Sequence, residues 1–266
     1  MTKSQTSFSV GFIGGGNMAR SIIGGLVADD TLELELHVFD PSKTTQQKLQ
    51  QEFNTVSAKS NQDMVDKCDV VVLAVKPQAM QSVLTELDAS KSKALFISIA
   101  AGLTINTLSK WLNADVALIR TMPNTPALVQ CGATGLYANQ AVSDEQRGLA
   151  DIIIKSTGIA VWVDSEDLLD AVTALSGSGP AYYFLVMEAM QTAGEKLGLS
   201  TETARQLTLQ TALGAASLAK QSTDTSAELR QRVTSPNGTT EQAINSFIKN
   251  DILNIFEQAM VAAYQR

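Results

Sequence analysis

The chain has 266 residues, of which 44% are hydrophobic and 18% charged, enough apolar material for a sizeable core in one large domain or two small ones. A formal net charge of -7, with Lys and Arg scattered rather than clustered, excludes a broad nucleic-acid-binding surface. The longest apolar run, "VVVLAV" at 70–75, is far too short to span a bilayer, and "MTKSQTSFSV" holds no apolar leader segment, so a cytoplasmic protein is expected whose partners are small molecules and copies of itself, with no nucleic acid and no membrane.

Short apolar runs alternate with helix-like stretches from the start of the chain: "FSVGFIG", "NMARSIIGGLV", "LELHVFD", "PSKTTQQKLQQEF", "CDVVVLAV", "QAMQSVLTEL", "ALFISIA", "LTINTLSKWL" and "VALIRTM". That rhythm predicts a parallel sheet covered by helices. "ATGLYAN" and "IAVWVD" flank one more helix, "SDEQRGLADIIIKS", and read as late edge strands. Beyond about residue 165 the pattern is helical throughout, with apolar positions three and four apart at Leu168, Leu169, Val172 and Leu175, and again four apart at Leu209 and Leu213 in a stretch that also holds Leu207 and Leu218. The predicted division is therefore a Rossmann-type α/β domain over 1–164 and an all-helical domain over 165–266, with no internal repeat.

Cys68 and Cys131 stand in no metal-ligand or CxxC spacing, so both are expected to be reduced thiols and no metal site is predicted. The single histidine, His37, falls in a strand-like run, where packing is its expected role rather than acid–base chemistry.

Chemistry concentrates first at "VGFIGGGNMA". Gly14, Gly16 and Ala19 form G-x-G-x-x-A at a strand-to-helix turn, where missing side chains let a pyrophosphate approach the helix N-terminus. A strand precedes this turn, an apolar helix follows it, and Asp40 closes the next strand at βαβ spacing, a combination that predicts dinucleotide binding. Asp40 suits a free ribose 2'-hydroxyl, whereas Ser42 and Lys43 near a helix start suit a 2'-phosphate, so the sequence leaves NADPH and NADH both open as cofactors. The later strand ends "AVKP" (74–77) and "SIAAG" (98–102) are expected at the same crevice, with Pro77 pinning the turn after Lys76.

Three further stretches, "MPNTPALV" (122–129), "SGSGPAYYF" (176–184) and "SPNGTTEQAI" (235–244), complete an ordered set with "FIGGGNMA", "AVKP" and "SIAAG". From Val10 to about Ala263 the chain closely resembles the pyrroline-5-carboxylate reductases, which make proline by reducing a cyclic imine with a nicotinamide cofactor. The resemblance implies a Rossmann domain followed by a helical domain that interlocks with that of a second subunit, giving a homodimer or a higher oligomer built on dimers. It implies that Gly14, Gly15, Gly16, Asn17, Met18, Asn61, Ala74, Val75, Lys76, Pro77, Met122, Pro123 and Asn124 line the cofactor, together with Thr125. Ser235, Gly238, Thr239 and Thr240 would receive the substrate in a pocket at the domain junction.

Independently of the resemblance, Pro236-Asn237-Gly238 turns the chain, and Thr239 with Gln242 reads as a capping box that starts a helix at the threonines. Free amides at such a start attract anions such as a substrate carboxylate. In "SGSGPAYYF", two glycines and Pro180 must break or kink a helix. A kink over 176–179 would bring backbone close to the nicotinamide and leave Tyr182, Tyr183 and Phe184 as a core face.

Imine reduction needs hydride at the C=N carbon and a hydrogen-bonded or protonated nitrogen, but no strong base. Thr240 is the candidate catalytic residue, orienting the ring nitrogen through its hydroxyl. A related 3-hydroxyacid dehydrogenase would normally use a lysine on the first long interdomain helix, yet no Lys, Arg or His occurs between Ser165 and Glu195. A non-catalytic cofactor-binding regulator, the other alternative, would not need both "SPNGTT" and "SGSGPA".

Overall fold

The computed structural model describes residues 6–266. The chain divides into two compact units, 1–177 and 178–266.

The first unit is built on one eight-stranded sheet. In chain order it comprises β1 (Thr6–Ile13), α1 (Asn17–Val27), β2 (Leu32–Phe39), α2 (Lys43–Phe53), β3 (Val56–Ser57), α3 (Asn61–Lys67), β4 (Val70–Leu73), α4 (Pro77–Thr85), β5 (Leu95–Ser98), α5 (Ile105–Leu112), β6 (Leu118–Met122), β7 (Gly132–Ala138), α6 (Asp144–Lys155), β8 (Gly158–Trp162) and α7 (Leu168–Val172). A 3-10 turn covers Thr125–Val129 and a π-turn covers Thr173–Gly177. The strand order is β3-β2-β1-β4-β5-β6-β7-β8. All neighbours pair in parallel except β6 and β7, which are antiparallel.

Why β4 reads as an unbroken apolar run follows from its position in the middle of the sheet. Side chains alternate between faces, and both faces are covered. Val70 and Val72 join Phe12, Ile22, Ile23 and Ile153 in one core cluster. Val71 and Leu73 join Ile13, Phe96, Met80, Leu84 and Leu108 in the other.

The predicted pair of late edge strands is half right. β8 is an edge, but β7 pairs with β6 on one side and β8 on the other, so it is interior. Two further elements, β3 and α3, escape periodicity because they are short. For α3, a local signal existed: Ser60 Oγ caps the helix by accepting the Asp63 N–H at 3.2 Å.

Residues 165–177, read from the sequence as the start of the helical region, pack against β6 and β7 in the first unit. Arg120 on β6 is buried and reaches Glu166 Oε1 at 3.2 Å and Asp170 Oδ1 at 3.5 Å. A Cβ on Gly135 of β7 would lie 2.8 Å from Val172 and 3.2 Å from Leu169, so α7 sits directly on the strand backbone.

The second unit is helical, as predicted: α8 (Gly179–Lys196), α9 (Thr201–Gln221), α10 (Ser226–Arg232), α11 (Thr239–Lys249) and α12 (Ile252–Tyr264). Gly194 brings α8 close to Leu199 and Ala204 at the start of α9. Many large apolar side chains in this unit are exposed in the single chain, among them Tyr183, Phe184, Leu213, Leu218, Phe247 and Ile255, while Tyr182, Ile244 and Ile252 are half-buried. Tyr183 and Phe184 therefore do not form the core face expected of them within one chain; they are 69% and 63% exposed. Among the described residues, no helix is long and apolar enough to cross a membrane.

Candidate functional site

Cofactor-side candidates gather at the carboxyl edge of the parallel strands. Gly14 follows β1 at φ +100°, donates its N–H to Phe39 O at 2.8 Å, and approaches β4 so closely that a Cβ would lie 2.9 Å from the Ala74 carbonyl oxygen. Only glycine adopts this conformation and this approach without strain. Ala74 returns the link by donating its N–H to Ile13 O at 2.9 Å, and Val75 borders Gly14. At Gly15 a Cβ would collide with Thr45 and Leu49, while the N–H donates to Asp40 Oδ2 at 2.9 Å.

Gly16 differs from its neighbours. It is the N-cap of α1, extended, exposed, and without a side chain to satisfy the first-turn amides of Asn17, Met18 and Ala19; a Cβ there would meet nothing within 4 Å. An uncapped helix start with an open approach fits the pyrophosphate of a dinucleotide.

Asp40 is more heavily engaged than a free ribose-binding carboxylate would be. Besides Gly15, it accepts the Ser42 N–H on Oδ1 at 2.9 Å, and its own carbonyl takes Gln46 Nε2 at 2.6 Å. Ser42 caps α2 by accepting the Thr45 N–H at 3.3 Å, and Lys43 begins that helix in solvent. An open groove of about 640 Å³ runs from Gly15 and Asn17 past Arg20 to Thr45 and Lys48. Arg20 itself is held by Glu52 and lies over the Phe53 ring. Asn61 opens α3, and its Oδ1 is a buried acceptor without a partner, which fits a ribose hydroxyl donor. Lys76 is the exposed N-cap of α4, with Pro77 at the first helical position.

Met122 ends β6, followed by Pro123 and the buried Asn124. The Asn124 amide is spent on two backbone groups far apart in sequence: Nδ2 donates to Ser176 O at 2.9 Å and Oδ1 accepts the Ala133 N–H at 2.9 Å. No spacing in the sequence flags this bridge. Thr125 is exposed.

Substrate-side candidates lie in the second unit. Asn237 is left-handed at φ +59°, Gly238 donates its N–H to Ser235 O at 3.0 Å, and a Cβ on Gly238 would press on that same oxygen at 3.0 Å. The expected capping box of Thr239 with Gln242 is not formed. Gly238 is the N-cap, Thr239 is already the first helical residue, and Glu241 reaches back to accept the Asn237 N–H at 2.8 Å. The left-handed Asn237 turns the chain one residue earlier than composition suggests, which makes Glu241 rather than Gln242 the third helical residue. Since Gly238 offers no side chain, the amides opening α11 have no side-chain cap, and Thr239 and Thr240 are exposed beside them.

Other candidates stand apart. His37 pairs with Glu35 at 3.2 Å on β2, Cys68 is buried, Cys131 is exposed, and no group of three potential metal ligands occurs among the described residues. A larger groove of about 930 Å³, lined by Lys67, Asp88, Lys93 and Glu145, opens near the amino ends of β4 and β5 and contains none of the predicted site residues.

Comparison with known proteins decides the family. Residues 166–266 match the pyrroline-5-carboxylate reductase dimerisation model, and residues 9–102 match the coenzyme F420-dependent NADP oxidoreductase model. A pyrroline-5-carboxylate reductase from Pseudomonas aeruginosa is 53% identical over 97% of this chain and 94% of its own length. The chain belongs to the pyrroline-5-carboxylate reductase family. The reductase structure from Coxiella burnetii superposes with a TM-score of 0.93 at 44% identity, covering 97% of each chain. The Plasmodium falciparum reductase, solved with NADP bound, superposes with a TM-score of 0.82 at 31% identity, covering 97% of this chain and 96% of its own.

Proposed function

We propose, from family membership and the two helix starts described above, that the protein reduces L-1-pyrroline-5-carboxylate to L-proline, the last step of proline biosynthesis. The observation that carries the substrate side is the start of α11, where a glycine N-cap leaves the first-turn amides without a side-chain cap. A carboxylate placed there receives backbone N–H donors and the favourable end of the helix dipole, in a chain whose net charge of -7 would otherwise repel it. Ser235, Gly238 and Thr239 shape this receptor. The Thr240 hydroxyl orients the ring nitrogen so that the C=N carbon faces the hydride donor.

A bound reduced nicotinamide cofactor supplies the hydride. The electron pair of the C=N bond passes to nitrogen, which carries the proton that completes the secondary amine, so no strong base is required of the protein. On the cofactor side, the amides from Gly16 to Met18 hold the pyrophosphate. Asp40, Ser42 and Asn61 hold the adenosine ribose, and the strand ends at Ala74–Pro77 and Met122–Pro123 border the rest, while the Asn124 amide is committed to Ser176 and Ala133.

Several finer assignments belong to this reading. NADPH is the working cofactor and NADH also serves, because Ser42 and Lys43 suit a 2'-phosphate and Asp40 a 2'-hydroxyl. The cofactor functions lie in the unit that ends at Gly177 and the substrate functions in the unit that begins at Ser178, so the division falls later than the residue 164 read from the sequence. The exposed apolar helices of 178–266 are covered by a second copy, so the protein is a homodimer or an oligomer of dimers acting in the cytoplasm.

The decisive experiment mixes the purified protein with pyrroline-5-carboxylate and each reduced cofactor and follows the loss of cofactor absorbance. Turnover with proline as product is expected. Absence of turnover with both cofactors overturns the assignment.

A further inference from the structure

Ser176 lies near the end of a π-turn, and its carbonyl is orphaned by the sequence itself. In a continuing α-helix it would accept the N–H four residues on, but that residue is Pro180, which has none. The next amide, Ala181, donates instead to Ser178 O at 3.0 Å. A half-buried carbonyl left this way needs a donor from elsewhere in the fold. Asn124 provides it, through Nδ2 at 2.9 Å.

The amide can be oriented in only one way. Oδ1 must face the Ala133 N–H and Nδ2 must face the Ser176 carbonyl, because the reverse would set donor against donor and acceptor against acceptor. Asn124 thus ties the loop after β6, the start of β7 and the π-turn into one unit. Around it the turn is firmly seated: Thr173 Oγ1 donates to Leu169 O at 2.7 Å, Ser176 Oγ donates to Val172 O at 3.0 Å, and a Cβ on Gly177 would meet Met122 Cε at 2.6 Å.

Met122 stands at the carboxyl end of β6, on the half of the sheet beyond β4 and away from Asp40. In a doubly wound sheet that half serves the second nucleotide, here the nicotinamide. We infer that Asn124 is a positioning residue for hydride transfer: it acts by holding the Ser176–Gly177 backbone at the nicotinamide end through its two hydrogen bonds, and not by binding the cofactor itself. This inference rests on the cofactor reading above. Hydride transfer depends on sub-ångström placement of donor and acceptor, so loosening the turn should slow the reaction without releasing the cofactor, whose pyrophosphate site lies on α1.

Asn124→Asp in the full-length protein separates the two roles. It preserves size and the acceptor for Ala133 but sets a carboxylate oxygen against the Ser176 carbonyl. The expected result is a fall in kcat of about 10-fold or more, with the NADPH dissociation constant, read from cofactor fluorescence, changed less than about 3-fold. Asn124→Ser, which is uncharged and too short to span both partners, should show the same split and carries the test if Asn124→Asp does not fold. Three outcomes overturn the inference: unchanged kcat, a dissociation constant that rises as steeply as kcat falls, or a lowered melting temperature with both constants intact. An inactive parent protein would instead refute the proposed function, so the two failures are distinguishable.

Discussion

Asp40 Oδ2 accepts the Gly15 N–H at 2.9 Å, so the carboxylate at the end of β2 fixes the glycine turn that ends β1. Its other oxygen holds the Ser42 N–H that leads into α2. One side chain therefore sets both the pyrophosphate turn and the entrance to the ribose site. Asp40→Asn keeps the shape, removes the charge and leaves one of the two amides facing an NH2 group. We expect kcat/KM with NADH to fall by roughly 10-fold, and with NADPH by less, because a 2'-phosphate no longer faces a carboxylate. Steady-state kinetics with both cofactors check this, and an unchanged NADH value would remove Asp40 from the ribose site.

At the start of α11 the two threonines should separate cleanly. Thr240→Val keeps the branched shape and removes the hydroxyl, and a loss of ~1–3 kcal/mol corresponds to a fall of roughly 5- to 150-fold in kcat/KM. Thr239→Val should leave the melting temperature nearly unchanged, because the N-cap is Gly238 and no side-chain cap is removed. Thermal unfolding beside kinetics tests both; a Thr240→Val protein as fast as the parent refutes the role of that hydroxyl.

Arg120 is the buried cation that fastens α7 to β6. Glu166 Oε1, 3.2 Å from it, also accepts the Ile105 N–H at 2.7 Å. Arg120→Met would strand Glu166 in a largely buried setting, and a destabilisation of ~2–3 kcal/mol is expected. Urea unfolding measures it, and the double variant with Glu166→Gln should recover part of the loss.

The two thiols should differ sharply in reactivity. Burial, reinforced by the Asp69 and Glu35 carboxylates, pushes Cys68 up to about 12 from its ordinary 9.0, whereas Cys131 is exposed. A thiol reagent at pH 8 should label Cys131 readily and Cys68 only on unfolding. Above pH 9 the unfolded chain loses the Cys68 proton while the folded protein keeps it. The unfolded state then binds fewer protons, and stability falls as pH rises toward 12. Urea midpoints at pH 8 and pH 10 should therefore differ more in the parent than in Cys68→Ala.

If a second copy covers the exposed helices of 178–266, the melting temperature should rise with protein concentration, and light scattering should give at least twice the 28.3 kDa chain mass. A stable, active monomer on dilution would contradict the proposed assembly.

Much of this protein is written in local sequence. Unbroken apolar runs give the central strands, and glycines at 14 and 16 before an apolar helix give the dinucleotide turn, because each depends on the backbone preferences of a few adjacent residues. The Pro-Asn-Gly turn ahead of α11 was legible for the same reason. Its exact helix start was not, since Thr239, with its hydroxyl, and Gly238, with its freedom, compete for the cap, and the left-handed Asn237 decides between them. β7 looked like an edge strand because its alternation does not record how many neighbours it has.

What the fold alone decided is which donors meet which acceptors. Nothing near Asn124 in sequence announces that its amide joins Ala133 to Ser176, and nothing near Gly15 announces Asp40 as its partner. Helix and strand identity arise from interactions a few residues long, which a sequence carries directly. A hydrogen bond between distant segments forms only when packing places both groups within about 3 Å at a suitable angle, a condition set by the whole core at once.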